Sequence, residues 1–185
     1  MSDGLPEFLD GPVVTAARML IGMHLRTEFE GKVTEVAISE VEAYAGAEDP
    51  ASHAFRGRTR ANGAMFGAPG TIYVYRSYGM HWCMNIVTAP KGVPSAVLIR
   101  AGVPVVGEAV MAMRRGRSDQ LTDGPGKLTQ ALGVSGDQDG THLRDGTIQL
   151  LAGGPPDGLV LSTPRVGISK AKDRPWRFVV AVSAG

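Results

Sequence analysis

Apolar positions recur along this chain with two different periods, and the changes between them mark most of its elements. After Pro12 the run from Val13 to Leu25, carrying Ala16, Ala17, Leu20, Ile21 and Met23, predicts an opening amphipathic helix. From Lys32 to Tyr44 the pattern alternates and is rich in Val and Ile, which predicts a strand. Period two places Val36, Ile38, Glu40, Glu42 and Tyr44 on one face, so two carboxylates and a phenol are expected to share a surface. Gly46 to Gly70 loses periodicity and is Gly- and Ala-rich, and a loop of that length in a compact domain usually carries function. Three β-type segments follow, Thr71 to Ser77, His81 to Thr88 and Ser95 to Ala101. They turn at Tyr78-Gly79-Met80 and around Pro90 to Pro94, the pattern of an antiparallel meander.

Gly107 to Arg115 reads as a helix, and Asp123 to Gly133 as a shorter one with Asp123 as N-cap, Pro125 in the first turn and Gly133 past the end. Ile148 to Ala152, Gly158 to Leu161 and Arg177 to Val182 complete the strands, with no internal repeat. The class is α+β. A chain of 185 residues fits one domain, spanning residues 1–185, able to bury a core without disulfides or metal. The lone Cys83 excludes an intramolecular disulfide framework and fits a reducing compartment. No signal region opens the chain and no apolar stretch approaches the roughly 20 residues of a membrane helix. A soluble cytoplasmic protein is expected, a monomer, and nucleoid-associated if bacterial.

A net charge of +1 argues by itself against nucleic-acid binding, but the distribution argues for it. From Pro50 to Gly107 there is no Asp or Glu, while Arg56, Arg58, Arg60, Arg76, Lys91 and Arg100 all fall inside. Acidic residues gather near the start and in Asp137 to Asp145. Such asymmetry permits a positive face on a nearly neutral protein, although scattered solvated charges would give the same count.

Within this frame a few residues stand out. Glu42, near the end of an apolar strand, is costly unless water, a cation or a hydrogen bond receives it, and Glu40 is equally eligible. Arg100 sits in the apolar run after Ala96 to Ile99, so a buried or ligand-facing partner is expected. His53 follows Glu48 and Asp49, but with no HExxH, no CxxC and no second nearby His, no catalytic metal is expected; an ordinary surface or core histidine is the plainer reading, and a hydrogen-bond donor to a ligand edge the third. Tyr73, Tyr75, Tyr78, His81 and Trp82 form the densest aromatic cluster in a chain only 6% aromatic. Core packing accounts for one face of that strand, whereas Tyr78 beside Gly79 at a hairpin tip resembles an exposed wedge or stacking platform. Asp123-Gly-Pro-Gly-Lys127 offers free helix amides and a lysine to a phosphate.

These residues, taken in order, resemble the alkyladenine DNA glycosylase family, also called 3-methyladenine or methylpurine DNA glycosylases. The motifs are Glu40-Val-Glu-Ala-Tyr44 with His53, Met65-Phe66, Pro69 to Tyr75, Tyr78-Gly-Met80, Cys83-Met-Asn85, Leu98-Ile-Arg100, Gly124-Pro125 with Lys127-Leu128, and Arg165-Val-Gly167. The resemblance spans about residue 10 to residue 180, with the quoted motifs between Glu40 and Gly167. The resemblance implies a single mixed domain with a curved, mainly antiparallel sheet flanked by helices, no cofactor, and duplex DNA bearing a damaged purine as partner. It implies Glu42 as the base that activates water, with Arg100 and the carbonyl of Val166 holding that water. Tyr44, His53 and Tyr75 would hold the extruded base, Asn85 would obstruct the 2-amino group of guanine, Tyr78 would fill the gap in the duplex, and Lys127 would approach a phosphate. Asp123 stands where a small hydroxyl residue is usual, and His81-Trp82 where two other aromatics are typical.

Two rivals belong to other classes. A non-catalytic nucleic-acid-binding module on the same scaffold has no need of Glu42 or Arg100. A carbohydrate glycosidase with Glu40 and Glu42 as paired carboxylates fits poorly with the basic, acid-free segment.

Overall fold

The longest alternating stretch of sequence forms the longest strand. In the computed structural model, which describes residues 4–181, β2 (Lys32–Tyr44) runs 13 residues through the middle of an eight-stranded sheet. β5 (Ser95–Val106) pairs along one of its edges. The other edge is shared: β1 (His24–Phe29) takes Lys32 to Ala37, and β8 (Arg177–Ala181) takes Glu40 to Glu42. β4 (His81–Thr88) and then β3 (Ile72–Ser77) extend the sheet past β5, β6 (Ile148–Leu151) extends it past β1, and β7 (Leu159–Thr163) pairs with β8. Every named strand pair is antiparallel, and the sheet curls.

Helices cover the concave core. α1 (Val13–Leu20) buries Val13, Ala16, Ala17 and Leu20, the stripe that an amphipathic helix presents, against β2 and β5. α2 (Glu108–Arg115) and α3 (Pro125–Leu132) pack on each other, and α3 also lies on β4 and β5. Leu20, Leu25, Ile38, Val41, Ile86, Ile99, Met111 and Leu128 belong to the single large apolar core between these layers. Among the described residues no helix is long and apolar enough to cross a membrane.

The structure departs from the sequence pattern at four places. The opening helix ends at Leu20 rather than Leu25, because Gly22 adopts φ 84° where a Cβ would meet the Gly154 carbonyl oxygen at 2.5 Å. His24 to Phe29 then form β1, which folds back on β2 through Glu30 and Gly31, both in the left-handed region. Second, Ser39 is an extra residue in β2 opposite β5, and such a bulge reverses which face each later side chain takes. Val36 and Ile38 therefore face the core, as do Val41 and Ala43, while Glu42 and Tyr44 point the other way; Val36 and Ile38 do not share their surface. Third, Gly124 rather than Asp123 is the N-cap of α3, and the Asp123 carboxylate turns to Lys127 instead. Fourth, β5 continues to Val106, with Pro104 tolerated beside a register shift, and β7 runs to Thr163. The last strand matches its expected start at Arg177, and Val182 lies outside the described residues.

The long loop is fastened rather than free. Asn62, buried, donates through Nδ2 to the carbonyls of His53 and Gly57 at 3.0 Å each and accepts from the Thr59 amide at 2.7 Å. Ala54 and Met65 pack with Tyr73, Val87 and Ala96 in a small second cluster that clamps the loop to the sheet.

Candidate active site

Two local irregularities bring the charged residues together. Glu40 pairs with Ala101 and Val41 with Ile99, which leaves Arg100 as the extra residue on β5. A bulge re-aims the side chain it carries. Arg100 accordingly projects out of an apolar strand and meets both glutamates: its Nε donates to Glu40 Oε1 at 2.6 Å, and its Nη1 lies 3.4 Å from Glu42 Oε2. The expected shared surface of Glu40, Glu42 and Tyr44 thus exists, built on the far side of the Ser39 bulge.

Glu42 is fully buried, on a strand paired along both edges. Its Oε1 accepts the Val166 amide at 2.7 Å, and its Oε2 accepts the Tyr44 hydroxyl at 2.8 Å. A carboxylate has about four acceptor sites, so these bonds hold Glu42 in place without saturating it. Burial, and then the Glu42 charge, push the Tyr44 hydroxyl well above the ordinary tyrosine range, so it remains a donor. Tyr44, Arg100 and Val166 all line a cleft of ≈ 1100 Å³, and Glu42 stands directly behind that wall.

Aromatic faces from different elements close around the same cleft. Tyr73 and Tyr75 stack at 5.6 Å, and His53, from the long loop, stands edge-on to Tyr75 at 4.5 Å. His53 Nδ1 is 2.9 Å from the Tyr73 hydroxyl. Burial holds the imidazole below its ordinary value, so at neutral pH it is an uncharged polar group. Asn85 reaches the cleft from β4, buried, with Nδ2 donating to the Tyr73 carbonyl at 3.1 Å. Tyr78 stands at the mouth, 87% exposed, on a turn in which Tyr78 and Gly79 are both left-handed and the Met80 amide returns to the Ser77 carbonyl at 3.0 Å. A non-glycine residue in that region costs on the order of 1–3 kcal/mol.

Lys127 is placed differently from the others. Its ammonium lies 3.0 Å from both oxygens of Asp123 and does not line the cleft, although Pro125 of the same helix does. Glu48, Asp49 and His53 do not gather around one point; among the described residues no cluster of three metal-ligating side chains occurs.

The pairings of Asp49, Arg165 and Arg177, and the cleft position of Lys170, are not legible in the sequence, where Arg165 stands only in a quoted motif and Asp49 only beside His53. Asp49 and Arg165 form a fully buried pair, with Nη2 to Oδ1 at 2.8 Å, joining the long loop to the segment that carries Val166. The Arg165 guanidinium also donates to the Ala43 carbonyl at 2.8 Å and lies 4.7 Å from the Tyr44 ring. Arg177 donates through Nε to Glu40 Oε1 at 2.7 Å. Lys170 lines the cleft. A charged residue flanked by apolar ones, as at Arg165 and Arg177, was the one available signal.

A buried carboxylate thus stands behind an aromatic-lined cleft whose lining carries Arg76, Arg100 and Lys170 and, among the described residues, no acidic side chain. The family model described as methylpurine-DNA glycosylase matches residues 7–184. A protein of Methanoculleus marisnigri is 48% identical over 92% of this chain and 91% of its own length. One from Rhodopseudomonas palustris is 50% identical over 93% of this chain and 84% of its own, and one from Granulibacter bethesdensis is 47% identical over 98% and 86%. All three bear the name "Putative 3-methyladenine DNA glycosylase". The chain belongs to the methylpurine-DNA glycosylase family, and is a DNA glycosylase, a hydrolase of N-glycosyl bonds.

Proposed function

We propose that the protein extrudes a damaged purine nucleotide from duplex DNA and hydrolyses its N-glycosidic bond with a water activated by Glu42. The substrates are purines of the 3-methyladenine, 7-methylguanine, hypoxanthine and ethenoadenine class. The observation that carries this reading is the Glu42 carboxylate, buried yet unsaturated, fixed by Tyr44 and Val166 behind a cleft walled with aromatic rings. C1′ of a stacked nucleotide is unreachable, so extrusion must precede chemistry, and the unstacking cost of a few kcal/mol is offset by wedge and pocket contacts. N-alkylated purines are cationic, which makes them good leaving groups and favours aromatic faces by about 0.5–2 kcal/mol per contact.

In this reading Arg100 and the Val166 carbonyl hold the water, and Tyr44, His53 and Tyr75 hold the base. A Lys127 contact with phosphate must exchange its present pair with Asp123. The test is incubation with duplexes bearing one hypoxanthine, ethenoadenine or methylated purine, followed by alkali. Strand breaks are expected only after alkali, as for a hydrolase without lyase activity. Breaks before alkali, or a borohydride-trapped adduct on Lys170, the one lysine among the described residues that line the cleft, would contradict it.

Tyr78 acts before chemistry. Tyr78→Ser is expected to slow excision from duplex DNA about tenfold, the effect of losing one stacking contact of 1–3 kcal/mol, and to matter less in single strands, where no stack must be held open. An equal loss on both substrates would indicate damage to the fold or pocket.

Asn85 serves exclusion. Hypoxanthine and guanine differ by one exocyclic amine, and removing a side chain that meets it admits guanine without helping hypoxanthine. Asn85→Gly is expected to raise guanine release from G·T pairs, relative to hypoxanthine release from I·T, by about tenfold, the scale of one lost clash. Because Asn85 also ties down the Tyr73 carbonyl, a parallel fall of both rates would assign it to strand stability alone.

A further inference from the structure

Glu40 stands two residues before Glu42 but does not line the cleft, and a single oxygen of its carboxylate is shared by two arginines. Oε1 accepts from Arg100 Nε at 2.6 Å and from Arg177 Nε at 2.7 Å. Arg177 comes from β8 in register with Glu42, and its Nη1 is anchored on Thr163 Oγ1 at 3.1 Å. The groups alternate in sign: Glu42, Arg100, Glu40, Arg177. A guanidinium prefers to close on a carboxylate as a two-pronged fork. Arg100 does not close in this way on Glu42, where its nearest approach is 3.4 Å, because its Nε is held by Glu40.

We propose that Glu40 is a positioning residue which, by holding Arg100 through Nε, keeps the guanidinium from closing on Glu42 and so leaves for the water the acceptor position of Oε2 that Tyr44 does not occupy. This rests on Glu42 being the base. Arg177 completes the device by neutralising Glu40, so that the four groups carry no net charge beside the developing cation at C1′.

Removing the Glu40 charge has two consequences of the same sign. Arg100 is released to fork onto Glu42, and Glu42 loses its nearest like charge; each favours the ionised carboxylate and makes it a poorer base. Besides Glu40, Glu42 faces Tyr44 on its own strand, Arg100 on β5, Arg177 on β8, Tyr75 on β3, Cys83 on β4, and Arg165 with the Val166 amide on the loop before β8. His53 stands beyond Tyr75. Burial holds Tyr44, Tyr75 and Cys83 protonated and His53 neutral at neutral pH, and Asp49 is forked onto Arg165, so Glu40 is the like charge that shares the Arg100 guanidinium with Glu42.

Single-turnover excision of hypoxanthine from duplex DNA, followed against pH, tests this. Glu40→Gln is expected to slow the reaction 10- to 100-fold, the effect of a misplaced catalytic group, and to move the acidic limb of the profile down by about one pH unit. Glu40→Asp, which keeps the charge, should restore the limb to its wild-type position. Arg177→Gln removes a positive neighbour and should move the limb the other way. A purely structural role would lower the rate and melting temperature of all three with the limb unmoved, and that result overturns the proposal; so does a Glu40→Gln enzyme of wild-type rate. If Glu40→Gln does not fold, an unmoved limb in Glu40→Asp beside a raised limb in Arg177→Gln still decides. Glu42→Gln, run alongside, separates the two claims: if it retains wild-type turnover, the base assignment itself falls.

Discussion

Asp49→Ala is expected to destabilise the protein by about 3–5 kcal/mol, the cost of leaving one member of a buried ion pair without its partner, and to lower Tm by roughly 10 °C for a chain of this size. Neither Asp49 nor Arg165 has any exposed side-chain surface. With Asp49 gone, the guanidinium keeps only the Ala43 carbonyl and the faces of Tyr44 and Trp176, at 4.7 and 5.2 Å. Burial alone would push the Asp49 carboxyl up; the Arg165 bonds and the Ala51 and Ala45 amides outweigh it and hold the carboxyl below the ordinary carboxylate range. A depressed folded value means that this stabilisation is fully present above the ordinary carboxylate range and is lost as pH falls through the folded value. Denaturant unfolding at pH 7 and at decreasing pH should show the wild type losing stability on acidification and Asp49→Ala lacking that part of the slope. The pair replaced together, Asp49→Leu with Arg165→Met, should cost much less than the single change. A loss below about 1 kcal/mol for Asp49→Ala, the worth of a surface pair, would remove the pair from the frame of the site.

The stripe in α1, the extent of β2 and the turn at Tyr78 and Gly79 are periodic or steric signals carried by adjacent residues, and the structure has them close to where they were expected, whereas the strict alternation in β2 is broken at Ser39. β1 was missed because Leu25 had been absorbed into the preceding helical run, though Glu30-Gly31 carried a hairpin signal. The bulges at Ser39 and Arg100 are pairing events: neither residue is unusual alone, and each becomes the extra one only when β2 meets β5. The Arg165 to Asp49 bond spans 116 positions, and Arg177 to Glu40 spans 137, beyond the reach of any local period. The gathering of Glu42, Tyr44, His53, Tyr75, Asn85 and Arg100 at one cleft was named through motif order; only the folded chain supplies its geometry.

Glu42→Gln is expected to lower the excision rate by about three orders of magnitude, within the 10²–10⁴-fold range that a general base contributes. The amide has nearly the same shape as the carboxylate, and its carbonyl oxygen can still accept one of the two bonds, from Tyr44 or from Val166. It cannot take a proton from water. Because the residue stands behind the cleft wall rather than in it, the aromatic contacts that would hold a base are untouched, and affinity for lesion DNA should stay within a few-fold of wild type.

The central claim is that a carboxylate at this position activates the water. Its most direct test is single-turnover excision of hypoxanthine from duplex DNA by wild type, Glu42→Gln and Glu40→Gln, with binding of the same duplex measured for each. Near-complete loss of excision is expected in Glu42→Gln with binding preserved, and a smaller loss in Glu40→Gln. A Glu42→Gln enzyme that still excises at the wild-type rate, above all beside an inactive Glu40→Gln, would contradict it.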